Sequence, residues 1–407
     1  MSGAPAVPTY DVDLYTEDAL TEPYGHYRTL RDLGPVVWLG AHDVYAVARY
    51  AEVRAVLDDP GTFCSGQGVG LNDVVNVLGR GTTLMSDGDD HRCLRRVIGR
   101  PLTPKALAGL RPQARERAEA LADRLVGRRT FDAVGDLAEV LPTTWVPDLL
   151  GWPEEGRAKL LDWAAATFDG LGPPNARTVA AAPGIMEMAA YAEQVASGVL
   201  PPQSMAAGIL AAVARGDLRA DQCPLAIIDY LGPSLDTTVS GLGSAVWLFA
   251  THPDQWRRLR EDPGRARQAF DEAIRLESPV TGFTRVTTRE VELAGVRLPA
   301  GARVLVSFAS ANRDGRQWDD PERFDIDRPT AAHVAFGHGE HACAGMGLAR
   351  LEATEVLTAL ARRAERIELD GTPVRKVNNV IRSFGSLPVR IVPAAAQPAS
   401  SSEASSR

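Results

Sequence analysis

Apolar residues recur every three or four positions along most of the chain, which is the spacing of one face of an α-helix. Proline and glycine interrupt this pattern and mark the predicted helix ends. Segment 221–251 is apolar on every side and is predicted to be one long buried helix. The other predicted helical segments are 17–33, 50–57, 91–146 with breaks at Pro101 and Pro142, 157–171, 178–215 with breaks at Pro183 and Pro201, 254–277 and 346–363.

Alternating apolar positions, the mark of a β-strand, are confined to short stretches. Segments 36–39 and 44–47 predict a hairpin, and segment 291–308 predicts a small sheet with turns at Gly295 and Gly301. Segment 61–88 is rich in Gly, Ser and Asn and predicts a long loop or a marginal helix. The predicted fold class is therefore mostly α with a minor antiparallel β component.

The two ends of the chain differ from the rest in pattern. Residues 1–12 are expected to be a flexible lead, and residues 394–407, rich in Ala, Ser and Pro, a disordered tail. Residues 13–393 are expected to form a single domain, because 45% of the 407 residues are hydrophobic and can supply one large core.

Charge and composition exclude several classes of protein. A net charge of −8 argues against a general nucleic-acid binder. No apolar run reaches the ~20 residues of a membrane span, and the N-terminus lacks the features of a signal peptide. The four cysteines are scattered without paired spacing, which is typical of a reducing cytoplasm. We therefore expect a cytoplasmic protein with no membrane or nucleic-acid partner.

The stretch 336–345 carries the densest candidate chemistry: one cysteine, three glycines and two histidines in ten residues. It precedes the predicted helix 346–363, and free backbone N–H groups at a helix start favour a thiolate. Zinc binding and an ordinary turn with a buried cysteine are the alternatives. The zinc alternative lacks the usual paired spacing of ligands, and its candidate ligands are His333, His338, His341 and Cys343.

The pattern Phe336-Gly-x-Gly-x-His341-x-Cys343-x-Gly345 resembles the haem-binding loop of the cytochrome P450 superfamily. The resemblance implies the cytochrome P450 fold and haem b (iron protoporphyrin IX) as cofactor. It implies that Cys343 is the metal ligand, that Phe336 packs beside it and that His341 lies near a haem propionate. Without an N-terminal anchor, it also implies a soluble bacterial member.

Two further sets of residues match the same superfamily. His91, Arg95 and Arg285 match donors to the haem propionates, anionic groups that require charge-assisted donors when buried. Glu272 and Arg275, three residues apart on a helix, match two members of a buried structural network. Arg323 is expected to be its third member.

Asp236 and Thr237 match the acid–alcohol pair that serves oxygen activation in this superfamily. The resemblance implies that Asp236 relays protons and that Thr237 hydrogen-bonds dioxygen. Pro233 and Ser234 depart from the small residues expected there, and Ser234 is added to the catalytic candidates. Proline also removes an amide donor and crowds the carbonyl group of Asp229, so we expect a kink.

Several stretches resemble one bacterial subgroup that oxidises para-substituted benzoates such as 4-methoxybenzoate. By that resemblance Arg80 and Thr83 match carboxylate ligands, whereas Asp229 and Gly232 replace serines. An Asp near a bound carboxylate would repel it, so the expected substrate is larger than a benzoate or lacks its charge. The candidates for the aromatic ring and the wall around it are Phe168, Val280 and Phe283, with Leu171 in place of a second Phe and Pro233 beside them.

The expected function is therefore a haem-thiolate monooxygenase that activates dioxygen to hydroxylate or O-dealkylate a small aromatic or natural-product substrate, O-demethylation included. Electrons are expected from a ferredoxin and a ferredoxin reductase, with Arg92, Arg96 and Arg100 as a basic patch for an acidic partner. Oxidative ring closure or coupling in secondary metabolism is the alternative. A haem sensor without turnover is disfavoured, because a sensor needs no acid–alcohol pair.

Overall fold

Capping side chains begin many of the helices in the computed structural model, which describes residues 7–395. Thr16, Thr103, Asn175 and Ser204 each accept a hydrogen bond from a backbone N–H in the first turn of the helix that follows. The helices are α1 (Glu17–Thr21), α2 (Tyr24–Leu33), α3 (Tyr50–Asp58), α4 (Asp73–Leu78), α5 (Gly88–Gly99), α6 (Pro104–Arg128), α7 (Val140–Leu150), α8 (Leu160–Gly170), α9 (Ala176–Ser197), α10 (Met205–Ala214), α11 (Cys223–Leu231), α12 (Asp236–Thr251), α13 (Pro253–Glu261), α14 (Ala266–Leu276), α15 (Phe308–Ala311) and α16 (Met346–Arg363).

The strands are short, and six of them form the largest sheet. They are β1 (Thr9–Tyr10), β2 (Val37–Leu39), β3 (Val44–Val47), β4 (Phe63–Cys64), β5 (Thr130–Asp132), β6 (Gly282–Thr287), β7 (Val291–Leu293), β8 (Val296–Leu298), β9 (Arg303–Ser307), β10 (Ala364–Leu369), β11 (Val374–Lys376), β12 (Ser383–Ser386) and β13 (Pro388–Pro393). The large sheet has the order β1-β2-β3-β9-β6-β4, and the pairs β1/β2 and β3/β9 are parallel. The other pairings are antiparallel, so the fold is the expected mostly helical one with small sheets.

Helix α12 lies at the centre of the molecule, and most of its side chains are buried. It packs against α14, and α14 packs against α16, which also packs along α6. The apolar side chains of these helices share one core cluster, which includes Leu242, Phe249, Phe270, Val356 and Leu360. The stretch that carries Cys343 leads into α16, so this core fixes the position of the candidate site.

The first strand begins inside the N-terminal segment that the pattern predicts to be flexible. Within the segment expected to be a flexible lead, Thr9 and Tyr10 pair with Trp38 and Leu39 of β2. Residues 1–6 of that segment and residues 396–407 of the expected tail lie outside the described residues. No helix of the described part, 7–395, combines the length and apolarity needed to cross a membrane.

Two prolines predicted to break helices lie inside them, and a third, where a kink was expected, interrupts its helix completely. Pro142 lies in the first turn of α7, where backbone N–H groups have no partner within the helix, so the missing N–H of proline leaves the helix unbroken. Pro183 lies inside α9, and the carbonyl group that it leaves unpaired belongs to Val179, whose side chain is 73% exposed. The predicted long helix 221–251 is wrong as one element, because it is interrupted between α11 and α12 around Pro233.

Candidate active site

One cavity brings most of the predicted site residues together. Its walls come from the loop before α5, from α5 itself, from α8, from the break between α11 and α12, from β6 and from the cysteine loop. Of the predicted residues, those that line it are Thr83, His91, Arg95, Phe168, Asp229, Pro233, Ser234, Thr237, Val280, Phe283, Arg285, Phe336, His341, Cys343 and Gly345.

The cysteine loop is shaped by glycines that no other residue replaces easily. Gly337 and Gly339 have φ of 69° and 70°, the left-handed region. A Cβ at Gly339 would lie 2.6 Å from the carbonyl oxygen of Leu57 in α3, closer than atoms can approach. The loop closes on itself where the Cys343 N–H donates to the Phe336 carbonyl oxygen at 2.8 Å. These constraints place the Cys343 side chain in the wall of the cavity.

Opposing effects act on the Cys343 thiol. Burial raises its pKa, whereas the backbone N–H groups of Gly345 and Met346 and the guanidinium of Arg95 lower it. The N–H groups belong to the start of α16, so the helix terminus presents donors to the sulfur as predicted. Arg95 is held in place by a hydrogen bond to the Ala342 carbonyl oxygen.

The zinc alternative is wrong for the cysteine loop. Among residues 7–395, the only group of His, Cys, Asp and Glu side chains close enough to share a metal ion is His91, Glu340 and His341, and Cys343 is outside it. His338 instead contacts Arg54 at 2.7 Å and Asp58 at 2.8 Å.

Strong donors line the cavity without acceptors from the protein. His91 is 2% exposed, and neither of its ring nitrogens has a partner among the described residues. Its ring centroid lies 4.1 Å from that of His341, whose Nε2 also has no hydrogen bond. Burial lowers the pKa of His91 to about 4, with His341 and Arg95 adding to the effect.

Arg285 is the most exceptional of these donors, because a fully buried guanidinium normally faces a carboxylate. It is 3% exposed, and its one hydrogen bond within the described chain goes to the Thr284 carbonyl oxygen at 2.8 Å. Burial lowers its pKa to about 10, and Asp87 and Cys64 offset part of the effect. A buried cation with room beside it fits an anionic ligand.

The donor set fits a haem. The unpaired ring nitrogens of His91 and His341 and the buried guanidinium of Arg285, which faces no carboxylate of the described chain at hydrogen-bond distance, suit two propionates, since buried anions require charge-assisted hydrogen bonds. The Cys343 side chain opens into the same cavity and supplies the soft ligand that iron accepts. Phe336 lines the cavity as well, and the Arg350 guanidinium lies 5.0 Å from its ring centroid.

The predicted structural network is present with one member changed. Glu272 and Arg275 are fully buried and paired, with Nε of Arg275 donating to Oε2 of Glu272 at 2.6 Å. The prediction of Arg323 as the third side chain is wrong, because Arg323 is 59% exposed and contributes its carbonyl oxygen instead. Arg328 takes the place, with Nε donating to Oε1 of Glu272 at 3.0 Å.

The break between α11 and α12 is held by side-chain hydroxyls. Pro233 has no N–H to offer to the carbonyl group of Asp229, so the helical ladder stops there. The Ser234 hydroxyl donates to the Tyr230 carbonyl oxygen. The Thr237 hydroxyl donates to the Pro233 carbonyl oxygen at 2.7 Å. Both hydroxyls line the cavity as acceptors with their own protons engaged by the backbone.

Asp236 points away from the cavity, although Thr237 beside it lines the wall. It is 3% exposed, its Oδ2 has no hydrogen bond among the described residues, and its Oδ1 lies 4.0 Å from Nζ of Lys376. Burial raises its pKa, and Lys376 opposes that shift. Lys376 is 40% exposed, so the pair connects the buried carboxyl group with the surface.

The predicted aromatic pocket is assembled in part. Phe168, Val280 and Phe283 all line the cavity. Leu171 is buried in the same apolar cluster as Phe168 but does not border the cavity, so its prediction as a wall residue is wrong. Gly232 does not border it either, because a Cβ there would face Thr167 of α8 at 3.5 Å.

The predicted carboxylate ligands separate. Arg80 follows the end of α4 in a turn that leaves it exposed and outside the cavity wall, so its prediction as a ligand is wrong. Thr83 is buried, and both its N–H and its hydroxyl donate to Oδ2 of Asp229 at 2.7 Å. The Thr83 donors are thus already engaged by a carboxylate of the protein itself.

Sequence reasoning missed three residues of this region. Arg328 lies five residues beyond Arg323, and nothing in the spacing shows which of these two arginines pairs with Glu272. Lys376 lies far along the chain from Asp236. Glu352 of α16 borders the cavity with Oε2 unpaired, and burial raises its pKa to about 8. The sequence did offer one signal for Glu352: it is a charged residue on the face of the helix that the apolar pattern predicts to be buried.

Comparison with known proteins extends the match beyond the cysteine loop. A family model described as Cytochrome P450 matches residues 210–388. Cytochrome p450 CYP199A2 of Rhodopseudomonas palustris is 44% identical over 393 residues, which cover 95% of this chain and 95% of that protein. Cytochrome P450 monooxygenase PikC of Streptomyces venezuelae is 33% identical over 403 residues, covering 94% of each. Among solved structures, CalO2 is similar with a TM-score of 0.81 and 30% identity, covering 94% of this chain and 99% of that one.

Proposed function

The chain belongs to the cytochrome P450 family of haem b monooxygenases, and from this premise we propose that it inserts oxygen into a small aromatic or natural-product substrate that carries no carboxylate near the distal wall. Hydroxylation of a substituent, or O-dealkylation of an ether, is the reaction. The observation that carries the proposal is the shared cavity, in which the unpaired His91 and His341, the buried Arg285 and the Cys343 side chain meet the aromatic wall.

The cysteine side of the cavity would hold the haem. Cys343 would be the thiolate ligand, with Gly345 leaving room beside its sulfur, and Phe336 would pack next to it. The propionates would be bound by four residues that line the cavity and match the family's propionate donors: His91, His341, Arg95 and Arg285. When bound, the haem supplies the activation of dioxygen and the transfer of one oxygen atom to the substrate.

Residues of the distal side would handle protons. Lys376 lies at the surface with its Nζ 4.0 Å from Oδ1 of Asp236, so a small movement of the lysine side chain would let a proton pass from solvent to the buried carboxyl group without an open water channel. Thr237 would hold the next position, because its hydroxyl oxygen borders the cavity while its proton is engaged by the Pro233 carbonyl group. Ser234 is engaged in the same way with Tyr230 and would shape this wall rather than donate a proton.

The substrate would lie against apolar side chains. Phe168, Val280 and Phe283 offer flat and branched surfaces, and the ring of Phe283 is backed by Phe308 with centroids 5.9 Å apart. An aromatic ring gains both apolar burial and edge-to-face contacts in such a wall. This arrangement supports an aromatic substrate class.

Electrons would come from an acidic ferredoxin with its reductase. Arg92 and Arg96 are exposed on α5, and the exposed Arg100 follows its end; the same helix carries His91 and Arg95 toward the cavity. A basic patch at this place would attract an acidic partner close to the cofactor. All four cysteines are free, which supports the expected cytoplasmic location.

Oxidative ring closure or coupling without net oxygen insertion is the second candidate. It is favoured by the distal wall, where both hydroxyl protons are engaged by backbone carbonyl groups and Asp236 points away from the cavity. Slower proton delivery at this wall would favour ring closure or coupling of the substrate over the insertion of oxygen.

Product analysis under isotopically labelled dioxygen tests the proposal. Holoenzyme with a bacterial ferredoxin and its reductase would be given 4-ethylacetophenone, whose hydroxylated side chain retains the label, and 4-methoxyacetophenone, whose demethylation releases formaldehyde. We expect labelled alcohol from the first and a phenol from the second. Dimerised or cyclised product without label would favour the second candidate, and turnover of neither aromatic ketone would contradict the proposed substrate class.

A further inference from the structure

Asp229 occupies a built binding site for a carboxylate. Its Oδ2 accepts the N–H and the hydroxyl of Thr83, each at 2.7 Å, and the nearby Leu84 N–H lowers the pKa of the carboxyl group. Adjacent backbone N–H groups together with a hydroxyl form the kind of cradle in which proteins bind an anion. Thr83 and Asp229 both line the cavity, so the cradle opens on the space for the substrate.

The cradle and its occupant come from distant parts of the chain. Thr83 and Leu84 lie in the loop before α5, and Asp229 lies near the end of α11, 146 residues later. The loop contributes only neutral donors to this contact. The charged and titratable groups that face Asp229 are Arg95 from α5 and Tyr230 on its own helix.

Nothing in helix formation requires this contact. Asp229 is two residues before the end of α11, and the backbone there is already disrupted by Pro233. An apolar or small residue at 229 would leave the Thr83 and Leu84 donors facing the cavity unpaired. A substrate carboxylate would then be their natural partner, because unpaired buried donors cost free energy until an acceptor reaches them.

We propose that Asp229 is a specificity-determining residue: it fills the carboxylate site of the substrate cavity with the protein's own side chain and thereby selects neutral aromatic substrates over benzoates. The proposal rests on the proposed function and narrows its substrate class. A benzoate entering the cavity would meet occupied donors and a like charge, whereas a ketone or ester of the same shape would meet neither penalty.

The proposal carries a pH dependence. Burial raises the pKa of Asp229 to about 7, although Thr83, Leu84 and Arg95 oppose the shift. Below that pH Asp229 is neutral and its like-charge repulsion of a benzoate is lost, while the benzoate stays anionic because ordinary carboxyl groups titrate near pH ~4. Benzoate binding to the native chain should therefore strengthen as the pH falls from about 8 to about 6.

Paired ligand titrations on the ferric holoenzyme test the proposal. The probes are 4-methoxybenzoate and its neutral analogue 4-methoxyacetophenone, and binding is followed by the Soret spin-state shift and by calorimetry. We expect the native chain to bind the ketone at least about 10-fold more tightly. Asp229→Ser should improve benzoate binding by about 10-fold and change ketone binding by less than about 3-fold, since it frees neutral donors for the carboxylate and removes a like charge.

Two further variants keep the result interpretable. Asp229→Asn retains the shape and should give part of the gain for benzoate, so it replaces Asp229→Ser if that variant does not fold. Asp169→Asn removes an equal charge at a partly buried carboxyl group outside the cavity wall and should leave the ratio of the two affinities unchanged. In Asp229→Ser the pH dependence of benzoate binding between about pH 8 and about pH 6 should weaken to the part that Glu352 contributes, since burial raises the pKa of that other carboxyl group of the cavity to about 8.

Equal affinity of the native chain for acid and ketone would overturn the proposal. An unchanged affinity ratio in both Asp229 variants would overturn it as well. These are binding measurements, so they stand apart from the proposed function, which fails only if neither aromatic ketone is oxidised.

Discussion

The two sides of the cavity satisfy their polar groups in opposite ways. On the cysteine side, both ring nitrogens of His91 and Nε2 of His341 have no hydrogen-bond partner among the described residues, and the buried Arg285 has one, the Thr284 carbonyl oxygen. On the distal side, the hydroxyls of Ser234 and Thr237 donate to backbone carbonyl groups. One side is incomplete without a ligand, and the other is closed by the protein itself.

This difference separates two roles. Unpaired buried donors cost folding free energy, so they persist where a tightly bound anion repays that cost. Satisfied polar groups fix the shape of a wall and leave apolar side chains to contact the ligand. The cysteine side therefore sets the cofactor, and the distal side sets the substrate. Asp236 is the exception on its side, because its Oδ2 is unpaired and its neighbour Lys376 reaches the surface.

Substitution of the network behind the cysteine side should have the largest effect. Arg275→Leu leaves Glu272 buried with a single cationic partner, Arg328, and should lower the free energy of unfolding by about 3–5 kcal/mol. Denaturant unfolding of the holoprotein measures this change. The matched control is Arg323→Ala, which removes an exposed side chain and should change stability by less than ~0.5 kcal/mol. An equal loss of unfolding free energy in the two variants would show that the Arg323 side chain belongs to the network.

Removal of the buried cation beside the cofactor site should come next. Arg285→Leu deletes a propionate donor without opening a cavity in the core, so we expect haem retention to fall by about 10-fold with the fold intact. The ratio of haem to purified protein and the rate of haem transfer to apomyoglobin measure it. The control is Arg289→Leu, which replaces an exposed arginine just beyond the end of β6 and should retain haem normally. Normal retention in Arg285→Leu would show that this cation serves another purpose.

Loss of the surface end of the proton path should have a moderate effect. Lys376→Met removes the contact to Asp236 and should increase the fraction of electrons released as peroxide by about 3-fold, because proton delivery slows while electron delivery does not. Peroxide and product are measured together under turnover. Lys159→Met, an exposed lysine paired with Glu187, is the control. An unchanged peroxide fraction would mean that protons reach Asp236 by another route.

Truncation of a satisfied hydroxyl should have the smallest effect. Ser234→Ala removes a group whose proton already goes to the Tyr230 carbonyl oxygen, so we expect the peroxide fraction to change by less than about 2-fold. Free energy of unfolding should fall by about 1 kcal/mol through the lost hydrogen bond. A large rise in peroxide would show that the Ser234 hydroxyl serves proton delivery directly and would break the contrast between the two sides.

Short motifs located the cysteine side well. Spacing within ten residues determines the positions of Cys343, Phe336 and His341, because the glycines restrict the loop to one conformation. The helix 346–363 was predicted at its observed bounds, because its apolar spacing is regular and its start follows directly from the loop. His91 and Arg95 follow from a one-turn spacing on α5. Local sequence determines such features.

The distal side depends on contacts that sequence spacing does not encode. The hydrogen bonds between Thr83 and Asp229 join a loop and a helix far apart in the chain, and the same holds for Asp236 and Lys376. Arg80 was placed wrongly because the direction of one turn after α4 decides whether it faces solvent or the cavity. The proline between α11 and α12 predicted a kink, but the size of the interruption depends on packing around it.

The assignment of Cys343 as the thiolate ligand is the central claim, and the carbon monoxide difference spectrum of the reduced holoprotein tests it most directly. We predict the red-shifted Soret band that thiolate ligation gives in the native chain, retained in the control Cys93→Ser, whose thiol donates to the Asp217 carbonyl oxygen on another part of the surface. Cys343→Ser should lose that band. Its absence from the native chain, or its persistence in Cys343→Ser, would contradict the account of the cysteine side.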